Sequence, residues 1–218
     1  MSAEWLSPEF TAAWTEHDTL ADLLRLPREM AGVIVADDNP EVRTVVDIAS
    51  GPGDFLAVML DRLPDATGTW SDVSPAMAEI AHDRLDRFAD RVTYTLADMT
   101  DLGGLPERAD LIVTSRASHH LARPELHRFY ADAAQRLAPG GWLVNLDHIG
   151  PNDEWNQRVR AARKRLVPRP SSKGAHSHPY PLPSIDDHVE GLAAAGLTDR
   201  AMPWRAFYTC LFMARRTS

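Results

Sequence analysis

An alternation of short apolar runs with longer amphipathic runs, between residues 43 and 148, constrains the fold of this 218-residue chain more than any other feature. Runs of the first kind, such as RTVVDIA at 43–49, are β-branched and predict buried strands. Runs of the second kind, such as GDFLAVMLDRL at 53–63, predict helices. Strands that alternate with helices form a parallel sheet with helices on both faces. We therefore predict a doubly wound α/β fold.

The remaining elements extend this pattern to seven strands. Residues 197–216 predict two strands that lie too close together for a helical crossover, so they form an antiparallel C-terminal hairpin in a mostly parallel sheet. Residues 168–184 hold five prolines and predict an irregular loop. Further strands are expected at 67–73, 91–97, 109–115 and 142–148, and further helices at 8–26, from Pro27 to 33, and at 74–88, 124–137, 153–167 and 184–196.

Composition narrows the classes of partner. The formal net charge of −8 disfavours binding to a phosphate backbone. No apolar run is long enough to span a bilayer, and the start of the chain lacks the pattern of a signal peptide. The single cysteine, Cys210, excludes an internal disulfide and fits a reducing compartment. We therefore expect a cytoplasmic protein, monomeric or homodimeric, that binds small molecules and neither nucleic acid nor membranes.

Residues 46–55, VDIASGPGDF, leave the first predicted strand through a turn of small side chains. Gly51 and Gly53 allow a ligand to approach the main chain closely, and the N–H groups of the next helix suit a carboxylate or phosphate. Asp47, Asp72 and Asp98 close or follow the first three strands. Since the carboxyl ends of parallel strands meet at one edge, these residues form one predicted ligand site.

The spacing of the glycines in this turn argues against a dinucleotide as the ligand. The pattern G-x-G-x-x-G needs glycine where Leu56 stands, and Asp54 brings negative charge to the turn that would bind pyrophosphate. A ligand with adenosine at one end and an amino acid at the other fits better. Asp72 would bind its ribose hydroxyls, the loop amides its carboxylate and Asp47 its ammonium group.

The adenine end of such a ligand would meet the turn after the third strand. There Asp98 would accept a hydrogen bond from the exocyclic amine, and Met99 would lie against the face of the base. These two residues complete a site drawn from three strands.

Five segments in order resemble the motifs of class I S-adenosylmethionine-dependent methyltransferases: DIASGPG (47–53), DVSPAM (72–77), ADM (97–99), ASHHL (117–121) and RLAPGGWL (136–143). The resemblance covers residues 43–148 and implies a Rossmann-like fold, S-adenosyl-L-methionine as cofactor and methyl transfer to a small-molecule hydroxyl or amine. It implies cofactor contacts from Asp47, Ala49, Gly51, Gly53, Asp72, Val73, Met77, Asp98, Met99 and Ser115. The chain departs from the family at Ala49, where glycine is common, and at Pro52, which removes one N–H donor.

Three histidines are candidate catalytic bases. His119 and His120 follow the fourth predicted strand, and His148 follows the fifth. A hydroxyl acceptor needs a base to take its proton as the methyl group transfers, whereas an amine acceptor needs little help. His176 and His178 have a spacing compatible with metal binding, but no further ligand clusters with them. We expect a loop that covers the acceptor there, and no metal.

We predict one domain over residues 1–218, with an N-terminal helical lid at 1–40, a cofactor-binding core at 41–149 and an acceptor-side helix, loop and hairpin at 150–218. The basic helix at 158–169 would be a solvated face or attract an anionic acceptor, and Arg116 would do so at closer range. Two alternatives stay open: a methyltransferase of tRNA or rRNA, which the acidic charge disfavours, and a relative that binds the cofactor without transferring methyl groups.

Overall fold

The computed structural model describes residues 3–16, 21–150, 154–166 and 181–217. Its helices are α1 (Pro8–Glu16), α2 (Ala21–Asp38), α3 (Asp54–Arg62), α4 (Pro75–Leu85), α5 (Arg123–Arg136), α6 (Glu154–Leu166) and α7 (Ile185–Ala194). Its strands are β1 (Thr44–Ile48), β2 (Thr67–Asp72), β3 (Val92–Leu96), β4 (Ala109–Ser115), β5 (Leu137–His148), β6 (Asp199–Ala206) and β7 (Thr209–Arg215). Across the described ranges, no helix combines the length and the apolar character needed to cross a membrane.

All seven strands form one sheet in the order β3-β2-β1-β4-β5-β7-β6. Strand β1 pairs in parallel with both β2 and β4, and β7 pairs antiparallel with both β5 and β6. The strand order reverses between β1 and β4, which is where open α/β sheets form a ligand crevice. The predicted Rossmann-like, doubly wound sheet with its C-terminal hairpin is confirmed.

The sheet separates two apolar cores, because successive residues of a strand point to opposite faces. On β1, Val45 belongs to the core under α2, α3 and α4, whereas Val46 belongs to the core under α5 and α7. The first core is filled by Leu24, Phe55, Leu56, Leu60, Trp70 and Met77, and the second by Leu126, Phe129, Tyr130, Leu192 and Phe212. With both faces covered, the site is restricted to the edge where the strands end.

The prediction that Pro27 begins a helix is wrong, because this proline lies inside α2. The buried stripe of α2 includes the proline itself and consists of Leu24, Pro27, Arg28, Ala31, Gly32 and Val35. Packing of this stripe on the core offsets the hydrogen bond that proline cannot donate. Of the predicted helix at 8–26, residues 8–16 belong to α1 and residues from Ala21 onwards belong to α2, while residues 17–20 lie outside the described residues.

Strand β5 begins earlier than the predicted residue 142. Leu137 follows α5 directly and pairs with Ala109, and the pairing then shifts register before Trp142 pairs with Leu111. Gly140 inside this irregular stretch has φ +77°. The sequence PGG therefore forms a bulge within a strand rather than the turn that precedes one. Most of the predicted irregular loop, as far as residue 180, lies outside the described residues.

The turn between β1 and α3 depends on glycine at position 53. Gly53 has φ +85°, and a Cβ atom there would lie 2.8 Å from Cδ1 of Leu85, which is buried. Gly196 has a similar φ of +80°, but a Cβ atom there would meet open space. The two glycines thus share the backbone constraint and differ in the steric one.

We expect Gly53→Ala to lower the free energy of unfolding by about 1–2 kcal/mol more than Gly196→Ala, because only the former crowds a filled core. Urea unfolding of both variants and the wild type measures this difference. Equal losses in the two variants would mean that Leu85 moves aside and that the backbone angle alone requires glycine.

Candidate active site

The turn that leaves β1 is built from alternating left-handed residues. Ala49, Gly51 and Gly53 have φ of +53°, +55° and +85°. Ala49 therefore adopts the conformation that glycine would adopt more easily at this family position, at a cost of about 1 kcal/mol. Trp70 Nε1 donates to the carbonyl of Gly51 at 2.9 Å, and Ser50 N donates to the carbonyl of Ser71 at 2.9 Å. The side chain and backbone of β2 thus fix the turn.

Asp47 lies beneath this turn and is fully buried. Its Oδ2 accepts hydrogen bonds from Ser50 Oγ at 2.6 Å and from Leu56 N at 3.0 Å, whereas no described group donates to its Oδ1. Burial raises the pKa of Asp47 to about 7, although these two hydrogen bonds lower it. The contacts of Asp47 are with its own loop, and its predicted bond to a ligand ammonium group stays a prediction.

Asp72, at the end of β2, joins two turns. Its Oδ2 accepts from Gly51 N at 2.9 Å and its Oδ1 accepts from Ser74 N at 2.9 Å. Burial raises the pKa of Asp72, although the hydrogen bonds from these amides lower it. A carboxylate offers about four lone-pair sites, so Asp72 retains the capacity to accept from ligand hydroxyls.

A cavity of about 560 Å³, partly open to solvent, lies beside this turn. This volume includes the solvent at the mouth of the cavity. Of the predicted cofactor residues, Ala49, Gly51, Asp72, Met77 and Ser115 line the cavity, together with His120 among the predicted bases.

Other predicted site residues lie away from the cavity wall. Asp98 accepts hydrogen bonds from the backbone N and the Oγ1 of Thr100, both at 2.9 Å. Met99 is buried in the core under α5. Val73 packs against the opposite core, and Gly53 faces Leu85. The roles proposed for these residues in binding adenine and ribose stay predictions.

The N-terminal elements supply residues that the motifs do not reveal. Trp5, from a 3₁₀ turn at Ala3–Leu6, and Trp14 of α1 line the cavity, with their rings 5.5 Å apart at an angle of 74°. Arg28 of α2 also lines it, is buried, and lies 3.6 Å from the Asp54 carboxylate. The sequence signal that could have revealed Arg28 is an arginine on the apolar stripe of an amphipathic helix, because a cation buried there needs an anionic partner.

The two predicted histidines after β4 differ in their surroundings. His119 is buried, and its Nδ1 lies 2.5 Å from Oδ1 of Asp147 at the end of β5. The ring of His120 lies 4.2 Å from that of His119 and 6.0 Å from Trp5. His119 therefore lies one ring behind the cavity wall, held by a carboxylate that the sequence analysis did not assign.

Asp147 is fully buried and accepts from several donors. Ser118 Oγ and His119 N donate to its Oδ2 at 2.5 and 2.8 Å, and His148 N donates to its Oδ1 at 2.7 Å. Burial raises its pKa, but the imidazole of His119 and the hydrogen bond from Ser118 lower it more strongly, so the net shift is well below the usual range. Asp147 is therefore a carboxylate at neutral pH and can hold His119 by a charge-assisted bond.

A chain of buried hydrogen bonds orients Ser118. Asn145 Nδ2 donates to Ser118 Oγ and to Tyr130 Oη, both at 2.8 Å. Each hydroxyl must then donate its own proton elsewhere, Ser118 to Asp147 and Tyr130 to Nδ1 of His188 at 2.6 Å. This polarity keeps Asp147 an acceptor, so Nδ1 of His119 carries a hydrogen and Nε2 is the basic nitrogen.

His148 is half-buried, with its Nδ1 3.0 Å from Thr209 Oγ1 and its ring 5.1 Å from that of His119. Burial and the proximity of His119, Arg116 and Arg163 lower the pKa of His148 to about 3, although Asp147 raises it. His148 is thus neutral at physiological pH. Among the described residues, no three His, Cys, Asp or Glu side chains are grouped as metal ligands; His176 and His178 lie outside these residues.

The raised pKa of Asp47 predicts the direction in which the stability of the protein changes with pH. Between pH 4 and 7 the folded protein retains a proton that the unfolded chain has lost, so the contribution of Asp47 to stability falls as pH rises. An asparagine side chain at this position would accept the same two hydrogen bonds without ionising. As pH rises from 4 to 7, we expect the free energy of unfolding of Asp47→Asn to increase relative to that of the wild type by on the order of 3–4 kcal/mol. Denaturant unfolding of both proteins at several pH values measures this gain; a difference independent of pH would contradict it.

A model of the family described as a methyltransferase domain matches residues 45–141. Trans-aconitate 2-methyltransferase of Methylobacterium radiotolerans is 38% identical over 103 residues, which are 47% of this chain and 36% of that protein. A hybrid PKS-NRPS synthetase of Macrophomina phaseolina is 32% identical over 111 residues, which are 48% of this chain but 3% of the synthetase. The matched region is therefore a minor part of each relative.

Solved structures share the fold over most of the chain. An O-methyltransferase family protein from Burkholderia thailandensis superposes with a TM-score of 0.72 at 22% identity, over 95% of this chain and 60% of that one. Human N-acetylserotonin methyltransferase, solved in complex with SAM, gives 0.67 at 17% identity, over 94% of this chain and 56% of that one. The fold, the ordered motifs and the match over residues 45–141 are together those of class I S-adenosylmethionine-dependent methyltransferases.

Proposed function

We propose that this protein transfers the methyl group of S-adenosyl-L-methionine to a hydroxyl group of a small molecule. The observation that carries the proposal is the buried His119–Asp147 pair, whose imidazole lies 4.2 Å behind the ring of His120 on the cavity wall. An amine acceptor would not need such a base, whereas a hydroxyl acceptor does. The Burkholderia thailandensis neighbour is an O-methyltransferase family protein, which points the same way.

The cavity has the polar groups that the cofactor requires. A Cβ atom on Gly51 would meet open space, so the backbone there can approach a ligand. No described group hydrogen-bonds to the buried Oγ of Ser115 on the cavity wall. Asp72 would hold the ribose hydroxyls, and the Arg28 guanidinium would hold the methionine carboxylate. When bound, the cofactor supplies an activated methyl group on a sulfonium.

The residues of the chain then orient the acceptor, exclude water from the cavity and remove the hydroxyl proton. Asp147 holds His119 in the tautomer whose Nε2 accepts the hydroxyl proton, and the resulting imidazolium is stabilised by the same carboxylate. Trp5 and Trp14 cover the cavity and exclude water, which favours in-line transfer over hydrolysis. Positioning of the acceptor against the methyl group supplies most of the rate acceleration, and the base adds a factor of about 10²–10⁴ in rate.

Substitution of Asp72 tests the cofactor site. We expect Asp72→Asn to weaken binding of S-adenosylhomocysteine by about 10- to 100-fold, through loss of charge-assisted bonds to the ribose. Isothermal titration calorimetry measures this change. The matched control is Trp70→Phe, which removes one hydrogen bond to the same turn from a residue off the cavity wall. Equal losses in both variants would assign the effect to the turn rather than to the ribose.

Substitution of His119 tests the base. We expect His119→Gln to slow S-adenosylhomocysteine formation by about 10²–10⁴-fold, with cofactor affinity retained, because glutamine cannot accept the hydroxyl proton. The assay uses methyl-labelled donor with a metabolite extract. His82→Gln, an exposed histidine of α4, should retain full activity. Full activity in His119→Gln would refute the assigned base.

The same assay separates the alternatives. A relative that binds the cofactor without transferring methyl groups would bind S-adenosylhomocysteine but form none from the labelled donor. An RNA methyltransferase would label total RNA rather than the extract. Label in a small molecule alone supports the proposed function.

A further inference from the structure

A histidine of α7 ends the chain of buried hydrogen bonds that leads to the predicted base. His188 is fully buried, and its Nδ1 lies 2.6 Å from Oη of Tyr130. It is not among the residues that line the cavity, so any influence on the reaction passes through other residues. Helix α7 also lies beyond residues 45–141, so the match to the methyltransferase domain does not include it.

The packing of α7 holds this histidine in a fixed position. A Cβ atom on Gly191 would lie 2.8 Å from Cδ2 of Tyr130, so glycine allows the tyrosine ring to lie close against α7 on the face that carries His188. The ring of Phe212 on β7 stacks on the imidazole, with centroids 4.6 Å apart and an angle of 18° between the planes. A helix and a strand thus fix the direction in which Nδ1 points.

The protonation states of the two groups give their contact a direction. Burial lowers the pKa of His188 to about 4, although Asp147 and Asp187 raise it. Burial raises the pKa of Tyr130, although a hydrogen bond from Asn145 lowers it. At neutral pH an uncharged imidazole therefore meets a protonated hydroxyl, which can donate its proton to Nδ1.

This acceptor determines which way the amide of Asn145 faces. Nδ2 of Asn145 lies 2.8 Å from both Tyr130 Oη and Ser118 Oγ. While the tyrosine proton goes to His188, Oη accepts a hydrogen bond from this nitrogen. Without that acceptor the tyrosine proton would turn to Asn145, whose amide would reverse and present its oxygen to both hydroxyls. That oxygen would compete with Asp147 for the single proton of Ser118.

Stability does not account for the polar character of this chain, which crosses the apolar core under α5 and α7. Among the described residues, no group hydrogen-bonds to the buried Nε2 of His188 or to the buried Oδ1 of Asn145. Buried polar atoms without partners are costly, whereas apolar side chains of the same shape at both ends of a hydrogen bond are nearly neutral or stabilising. A role in orienting the site accounts for the polar side chains.

We propose that His188 is a positioning residue for the predicted base, His119. By accepting the proton of Tyr130, it keeps Ser118 a donor to Asp147. Asp147 in turn holds the imidazole of His119. This inference rests on the proposed function and adds a residue of α7 to it.

Two substitutions of similar size separate the hydrogen bond from the packing. The Oδ1 atom of asparagine can replace Nδ1 of His188 as an acceptor, whereas leucine has a similar shape and no acceptor. We expect His188→Leu to slow S-adenosylhomocysteine formation from methyl-labelled donor and a metabolite extract by about 10-fold, the rate equivalent of one hydrogen bond. His188→Asn should retain the rate within about threefold. Calorimetry should show unchanged affinity for S-adenosylhomocysteine in both variants.

A double-mutant cycle tests whether the effect passes through His119. In the His119→Gln background, His188→Leu should cause no further loss, because the base that it orients is absent. The control is His127→Leu, which removes another histidine contact between α5 and α7, from Nε2 to the carbonyl of Asp187 at 3.1 Å, and should keep the rate. Equal losses in His188→Leu and His188→Asn, or the same loss with and without His119, would overturn the inference.

A second variant breaks the chain from the other side of the same hydrogen bond. Tyr130→Phe removes the hydroxyl and keeps the ring. We expect its rate loss to match that of His188→Leu, with no further loss when the two are combined, because both remove one link. This variant keeps the inference testable should urea unfolding show that His188→Leu does not fold. Additive losses would mean that the two residues act separately and would count against the inference.

A readout without turnover distinguishes this inference from the proposed function. Nitrogen-15 NMR of labelled histidine follows Nδ1–H of His119, which lies 2.5 Å from Asp147. We expect this signal to shift or broaden in His188→Leu and to stay as in the wild type in His188→Asn and His127→Leu. Such a shift in a protein that transfers no methyl group would support the positioning and refute the methyltransferase activity. A slower rate in His188→Leu with an unchanged His119 signal would assign the loss to packing and overturn the inference.

Discussion

Two buried carboxylates organise the carboxyl edge of the sheet, and their opposite environments explain the rest of the site. Asp47 receives two hydrogen bonds on one oxygen, and burial raises its pKa to about 7. Asp147 receives donors on both oxygens beside an imidazole, and its pKa is lowered. The same chemical group is thus a neutral or weakly charged anchor under the turn after β1 and a carboxylate anion beside His119.

The parallel pairing of β1 with β2 and β4 brings these functions within reach of one another. Because the strands end together, the turn after β1, the carboxylate after β2 and the arginine after β4 share one cavity. The N-terminal elements line that cavity with the aromatic rings of Trp5 and Trp14 and with the guanidinium of Arg28. The guanidinium carbon of Arg116 lies 4.5 Å from the centroid of the Trp14 ring, a cation–π contact between α1 and the end of β4.

Local patterns in the sequence were sufficient to predict the seven-stranded, doubly wound fold. The β-branched run at 43–49, the cap at Ser74 and the small-residue turn each depend on neighbours in the chain. The cavity also depends on contacts between residues that are distant in sequence, which local patterns do not show: His119 with Asp147, Arg28 with Asp54 and Trp14 with Arg116. Pro27 shows the same limit, since tertiary packing of α2 overrides the local preference of proline.

The position of β7 bears on how the protein is made. This strand lies between β5 and β6 although it follows both in sequence. During synthesis, β5 therefore keeps an unpaired edge, and β6 has no partner, until residues 209–215 have left the ribosome. An open strand edge on a nascent chain is a template for wrong pairing. Translation of the final strand, rather than collapse of the cofactor-binding half, thus completes the sheet.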